Sequence, residues 1–186
     1  MDNIPYHIRY ADNSTDLVQI NQFYDVKVFL SREAADAFKK MQNAAESDGI
    51  YLQAVSGYRS YQDQEELFNK QIVKRGSRLE ASRLSAPAGY SEHHTGYALD
   101  IGDIKNQDAV LTLSFEQTKA FRWLQMNAYA YGFELSFPKK NWMNVSYEPW
   151  HWRFVGSDAA KEIFRSARGM PQVNQSVLKA IPFHMQ

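Results

Sequence analysis

The chain has 186 residues, which fits one domain or two small ones, and its 44% hydrophobic, 23% charged and 14% aromatic composition excludes a disordered or low-complexity protein. Its 21 basic and 21 acidic side chains cancel, which argues against a nucleic-acid or membrane-surface binder, and no apolar run approaches the ~18 residues of a membrane span. Cysteine is absent, so a thiol nucleophile, a Cys-ligated zinc site and a disulfide framework are all excluded.

The first segment, MDNIPYHIRYADNST, carries neither a basic n-region nor an apolar h-region. The expectation is a cytoplasmic protein or one whose signal segment has been removed. Residues 1–22 mix Asp, Asn, Ser and isolated apolar side chains and read as an irregular arm. FYDVKVFL, residues 23–30, has strand composition. Ser31 is placed to cap a helix through Asp48, with Ala34, Phe38, Met41 and Ala45 on one face and Gly49 as its stop. Ile50, Leu52 and Ala54 alternate as in a half-buried strand that ends at Gly57.

Ser60 and Asp63 resemble a capping box for a second helix, which carries Leu67, Phe68 and Ile72 and stops at Gly76. Residues 77–95, rich in Ser, Ala, Pro, Gly and His, read as a long loop, and such loops tend to carry function. YALDI, residues 97–101, reads as a short strand. Ser114 and Gln117 predict the start of a third helix, with Phe121, Leu124, Ala128 and Tyr131 on one face and Gly132 as terminator. Strands are expected at Phe133–Phe137 and Trp150–Val155. Ser157 should cap a last helix to about Arg168, with Ala160, Ile163, Phe164 and Ala167 inward and a tail beyond. No Gly-rich nucleotide loop follows a strand. The pattern predicts an α+β fold: a single domain over residues 1–186 with a mostly antiparallel sheet flanked by helices, a core at about 23–168 and irregular terminal arms.

Five histidines are present: His7, His93, His94, His151 and His184. Three of them sit beside acids in two clusters, SEHHTGYALD at 91–100 and YEPWHWR at 147–153. A catalytic zinc site needs about three His or carboxylate ligands, an open position, and a carboxylate outside the ligand set that can take a proton from water. The clusters supply His93 or His94, Asp100 and His151 as ligands, and Glu92 or Glu148 as base. Pro149 disfavours helical backbone at Glu148, which predicts an extended lead-in that offsets it from His151. A lone His–Asp pair is usually a structural hydrogen bond; two clusters with complementary roles raise the case for a metal.

SEHHTGYALD fits the pattern S-x-H-x-x-G-x-A-x-D, EPWHWR (148–153) fits E-x-W-H, and SGYRSYQDQ (56–64) fits S-G-x-R-S-x-x-x-Q. In these three blocks, in this order over residues 56–153, the chain resembles the D-alanyl-D-alanine carboxypeptidase family, the VanY-like zinc peptidases. The resemblance implies a Hedgehog/D-Ala-D-Ala-peptidase-like fold and Zn2+ held by His93, Asp100 and His151. It implies Glu148 as general base and Arg59 as the cation for the oxyanion or the substrate carboxylate, with Gln64 and Ser91 as substrate contacts. It makes His93 the ligand and leaves His94 at a variable position.

The activity implied is hydrolysis of the terminal D-Ala–D-Ala bond of a peptidoglycan stem peptide. An L,D-carboxypeptidase or a peptidoglycan endopeptidase of the same fold is the alternative. A non-catalytic cell-wall-binding module is disfavoured because Glu148 and Arg59 are both present. The substrate implies a periplasmic or cell-wall-facing protein with its signal or anchor segment absent from this chain; an intracellular dipeptidase is the cytoplasmic counterpart. Trp150 and Trp152 flank His151 and are expected on the opposite, core face; Tyr58, Tyr97 and Tyr147 are candidates for the substrate groove, with the core the more frequent place for aromatics near strands. Glu92 reads as a solvated loop acid, Gly96 as a tight turn or a relief of packing, and His7 and His184 receive no role.

Overall fold

Side chains alternate across a β-strand with a period of two, so a sheet that is apolar on one face can carry chemistry on the other. The central sheet does this. A computed structural model describes residues 5–23 and 26–169. Four antiparallel strands, β3 (Leu52–Ser56), β4 (Ala98–Asp103), β5 (Phe133–Leu135) and β6 (His151–Phe154), lie in the order β3-β4-β6-β5. Leu99, Ile101, Trp152 and Phe154 point to one face and are buried there, whereas Asp100, His151 and Arg153 point to the other.

Helices cover the apolar face. α1 (Arg32–Ser47) buries the face read from its spacing, and Ala34, Phe38, Met41 and Ala45 are each 0% exposed. α4 (Lys119–Asn127) buries Ala120, Phe121 and Leu124. Edge-on aromatic contacts join the layers: Phe38 to Phe133 at 6.3 Å and Phe121 to Trp152 at 6.4 Å. α2 (Tyr61–Arg75) begins at Ser60, whose hydroxyl accepts from the Asp63 amide, and ends at left-handed Gly76, as the capping signals predict. The last helical segment starts at Ser157 but breaks at Phe164 into α5 (Asp158–Ile163) and α6 (Arg165–Gly169). The chain is thus α+β with an antiparallel sheet, as expected; the C-terminal tail beyond Gly169 and His184 lie outside the described residues.

Three expectations change. The N-terminal arm contains a strand, β1 (Leu17–Phe23), paired antiparallel with β2 (Val26–Ser31) in a separate two-stranded sheet. The 77–95 stretch contains α3 (Arg78–Leu84), capped by Ser77 onto the Glu80 amide, and a 3-10 turn at Glu92–Thr95. The helix read from Ser114 starts a turn later: Leu113–Gln117 is 3-10, and Thr118 caps α4 onto Phe121 N at 3.1 Å. Phe115, fully buried below that turn, holds the chain tight there before the helix proper begins.

Candidate metal centre and active site

Sheet register assembles the site. Asp100 on β4 pairs with Ser56 on β3 and with His151 on β6, so three polar residues form a row across neighbouring strands on the face opposite α1 and α4. Directly opposed residues sit about 4.5–5.5 Å apart, within reach of one ion. His93 arrives from the 3-10 turn before β4, and left-handed Gly96 (φ +70°) reverses the chain between it and Asp100. A Cβ on Gly96 would also lie 3.0 Å from Leu17 Cδ2, so this glycine serves both the turn and the packing.

The candidate ligand atoms converge. One atom each from His93, Asp100 and His151 lies within 4.8 Å of the others, and all three residues are buried. His93 Nε2 is 3.5 Å from Asp100 Oδ2, and His151 Nδ1 is 3.1 Å from Asp100 Oδ1. His93 Nδ1 is 2.6 Å from the Gly57 carbonyl oxygen, which only accepts, so the ring proton sits there and Nε2 keeps its lone pair for a metal. Both nitrogens of His94 are engaged by backbone, Nδ1 donating to Arg59 O at 2.7 Å and Nε2 accepting from Gly89 N at 3.0 Å, so His94 is structural.

The local charges suit a cation. Burial alone would raise Asp100, but His93 and His151 hold it well below the usual carboxylate range. Burial pushes His93 down to about 4, which leaves its ring neutral and ready to ligate at neutral pH. Burial would also lower His151, yet Asp100 and Glu92 on either side of the ring raise it to about 10. That imidazolium occupies the place where a metal would meet the same carboxylate.

Glu148 sits beside the set and outside it. A turn through Pro149, closed by His151 N to Glu148 O at 3.1 Å, folds its carboxylate back to 3.9 Å from His151 Nδ1. Burial raises Glu148 to about 8, against the opposing pull of His151. A raised carboxyl group of this kind is suited to exchanging protons near neutral pH.

Arg59 is braced on two sides: Nη1 donates to Gln64 Oε1 at 2.8 Å and Nη2 to Ser56 Oγ at 2.9 Å. Gln64 is 1% exposed and spends its amide on Ala86 O at 2.7 Å. Its contact is with Arg59 first. A cavity of about 260 Å³ brings together Arg59, Ser91, His93, Asp100, Glu148 and His151.

Several neighbours stand elsewhere than expected. Trp152 is in the core; Trp150, half-buried in the turn ahead of β6 where strand alternation does not apply, packs against the core and also lines the cavity. Tyr97 is in the core as expected, half-buried Tyr147 packs against it, and half-buried Tyr58 lies outside it. The cavity's tyrosines are instead Tyr10 and Tyr90. His7, to which the sequence assigns nothing, also lines it, with Nε2 2.8 Å from Ser82 O. Glu92 is no solvated loop acid: it is 3% exposed and receives Arg153 Nη1 at 2.8 Å and Ser136 Oγ at 2.6 Å.

Two imidazoles and a carboxylate converging on one point, with a further carboxylate and a guanidinium alongside, make the donor set of a metal-dependent hydrolase. A sequence model of the D-alanyl-D-alanine carboxypeptidase family, VanY, matches residues 27–157, and the chain belongs to that family. It is 43% identical over 139 residues to the putative carboxypeptidase YodJ of Bacillus subtilis (strain 168), covering 74% of this chain and 50% of that protein. The chain spans about half the length of the first curated relatives it matches. Among solved structures it is similar to the LdcB LD-carboxypeptidase, with TM-score 0.71 and 40% identity over 83% of this chain and 74% of the other. It is similar also to the vancomycin resistance D,D-pentapeptidase VanY of the VanB-type cassette. A point mutant of that protein in complex with Zn(II) aligns with TM-score 0.64 and 27% identity over 87% of this chain and 92% of the other. Its complex with D-alanine-D-alanine gives 0.64 and 26% over 94% and 98%.

Proposed function

We propose that the chain is a zinc-dependent carboxypeptidase that hydrolyses the terminal D-Ala–D-Ala bond of peptidoglycan stem peptides. The observation that carries this reading is the convergence of His93, Asp100 and His151 within 4.8 Å, beside Glu148 and Arg59 in one cavity, in a chain of the VanY family. The Zn(II) and D-alanine-D-alanine complexes of VanY support the metal and the substrate class. His93 through Nε2, Asp100 through a carboxylate oxygen and His151 through Nδ1 would hold the ion. A zinc there supplies a Lewis acid that polarises the scissile carbonyl and lowers the pKa of a bound water towards ~7.

The chain's own groups do the rest. Glu148 accepts a proton as the water oxygen bonds to the carbonyl carbon. The C–N bond then breaks, and Glu148 passes that proton to the leaving amine of the terminal residue. Arg59, its planar guanidinium held in place by Gln64 and Ser56, faces the negative charge that develops on the carbonyl oxygen. Gln64 serves the substrate through Arg59, and Ser91 lines the wall of the cavity near His93. A peptidoglycan stem peptide as substrate supports a cell-wall-facing location for the activity.

A second reading is favoured by one observation. The LdcB LD-carboxypeptidase matches with the higher identity, 40%, which supports cleavage of a tetrapeptide stem at an L–D bond. Mass spectrometry of products from purified muropeptides separates the two. Loss of one D-Ala from pentapeptide stems, with tetrapeptide stems untouched, is the expected result. Cleavage of tetrapeptide stems alone would replace the first reading by the second.

A further inference from the structure

Glu92 takes no part in the hydrolysis above, yet it is the most elaborately held acid near the metal ligands. Its side chain is 1% exposed. Oε1 accepts from Arg153 Nη1 at 2.8 Å and from Tyr10 OH at 3.4 Å. Oε2 accepts from Ser136 Oγ at 2.6 Å and lies 3.0 Å from His151 Nε2. A buried carboxylate persists only where donors replace its lost water, and here four donors come from three separate parts of the chain.

The geometry points to Glu92 as the positioning residue of the metal ligand His151: it accepts the hydrogen bond of Nε2–H and thereby turns the lone pair of Nδ1 towards Asp100 and His93. The inference rests on the zinc reading above. A neutral ring with its proton on Nδ1 would set the Nε2 lone pair against a carboxylate oxygen at 3.0 Å, acceptor against acceptor. The Nε2–H tautomer removes that clash and leaves the Nδ1 lone pair facing the cavity, 3.1 Å from Asp100 and 3.9 Å from Glu148, where a cation held by Asp100 would separate the two acceptors. A carboxylate on the outer N–H also raises the basicity of a ligand imidazole.

The two histidines differ here. His93 is held by the Gly57 carbonyl, a neutral acceptor, whereas His151 is held by a full charge. The carboxylate is itself fixed in place. Arg153 follows His151 by two residues on the same face of β6, and its Nε is tied at 2.8 Å to Glu134, which also receives Arg168 from α6 at 3.1 Å. The ring of His151 is thus referenced to a network of ion pairs running from the cavity wall to the last helix.

The test uses the zinc-loaded chain. Zinc stoichiometry of the wild type is measured first; a chain that takes up no zinc overturns the metal reading and the inference with it. Long-range 1H–15N correlations of histidine-labelled, zinc-loaded protein then read the His151 tautomer. Protonated Nε2 with metal-bound Nδ1 is expected, and the reverse overturns the inference while leaving the metal reading intact. Zinc dissociation constants for Glu92→Ala and Glu92→Gln are obtained by competition with a chromophoric chelator. Glu92→Ala should weaken zinc about 10–100-fold, with partial rescue in Glu92→Gln, which keeps an acceptor oxygen without the charge. Wild-type zinc affinity in both folded variants overturns the assignment. A purely structural Glu92 would lower the melting temperature of the chelated variants and move neither the tautomer nor the affinity. If either variant fails to fold, the wild-type tautomer still decides.

Discussion

A carboxyl group and a guanidinium share the cavity, and only one of them can carry a proton back and forth. Glu148 is raised to about 8 by burial, whereas Arg59 offers a planar fork of N–H donors and no acceptor. Glu148→Gln keeps the size and the turn at Pro149 but cannot accept a proton. Turnover should fall about 10²–10⁴-fold with zinc content unchanged, as measured by steady-state assay beside metal analysis. Near-normal kcat with zinc bound would make another residue the base. For Arg59, the two braces matter more than the charge. Lysine retains the charge and loses the planar fork that Gln64 and Ser56 hold. Arg59→Lys should lower kcat by about 10–10²-fold, part of the value of one lost oxyanion donor. A large rise in KM with kcat unchanged would make Arg59 a clamp for the substrate carboxylate. Residue types and spacing make the two His–acid clusters legible in the amino-acid sequence but leave His93 against His94 and Glu148 against Glu92 open; the resemblance of the three blocks to the family is what singles out His93, Glu148 and Arg59. The burial of Glu92 escapes both. Its partners Ser136, Arg153 and Tyr10 are 44, 61 and 82 residues away, so nothing near it in the chain announces that it is buried.

At the scale of elements, α1 is legible from its apolar face, although Ser31 precedes it without a side-chain cap bond, and α2 from its Ser60 cap and Gly76 stop; the strand pairing that aligns Ser56, Asp100 and His151 is not. Strand β1, LVQINQF, is missed because its apolar residues do not alternate strictly and follow a polar stretch, while its pairing with β2, with a register shift between Gln19 and Asn21, is not visible locally. The link between that small sheet and the site is Gly57. A Cβ there would lie 2.2 Å from Phe29 O and 3.0 Å from Val28 Cγ1, both on β2, and the Gly57 carbonyl holds His93 Nδ1. Gly57→Ala must push β2 and the end of β3 apart. It should destabilise the fold by about 1–3 kcal/mol, as overpacking does, and weaken zinc binding through His93. Urea unfolding of the chelated protein checks the first and chelator competition the second. A variant with wild-type midpoint and wild-type zinc affinity would show that the strands slide freely here.

At the scale of the molecule, the apolar core and the candidate metal centre occupy opposite faces of one sheet, so the fold does not need the ion as a small zinc-dependent domain does. In the metal-free protein the protonated His151 lies between Asp100 and Glu92 and satisfies both carboxylates. A chelator should therefore leave the circular dichroism unchanged and lower only the melting temperature. Zinc at about 100 times its dissociation constant adds about 2.7 kcal/mol, which for a chain of this size corresponds to about 5–11 °C. The increment should depend on pH with a definite sign. His151 is raised from 6.5 to about 10 in the metal-free fold, so its contribution to stability is complete below 6.5 and is lost as pH rises through 10. The zinc-loaded form needs Nδ1 without its proton, so zinc binding strengthens over the same range. Burial of Glu148, raised to about 8, adds to the fall in metal-free stability with rising pH, because the folded state holds that proton longer than the unfolded chain does. At fixed total zinc, the gap in melting temperature between loaded and chelated protein should widen from pH 6 to pH 9. Thermal melts at half-unit pH steps, with and without chelator, measure it. A gap that is constant or narrows with pH would mean that His151 is not the proton that zinc displaces, and a chelated protein unfolded at 25 °C would mean that the ion, rather than the helix-covered core, holds the sheet together.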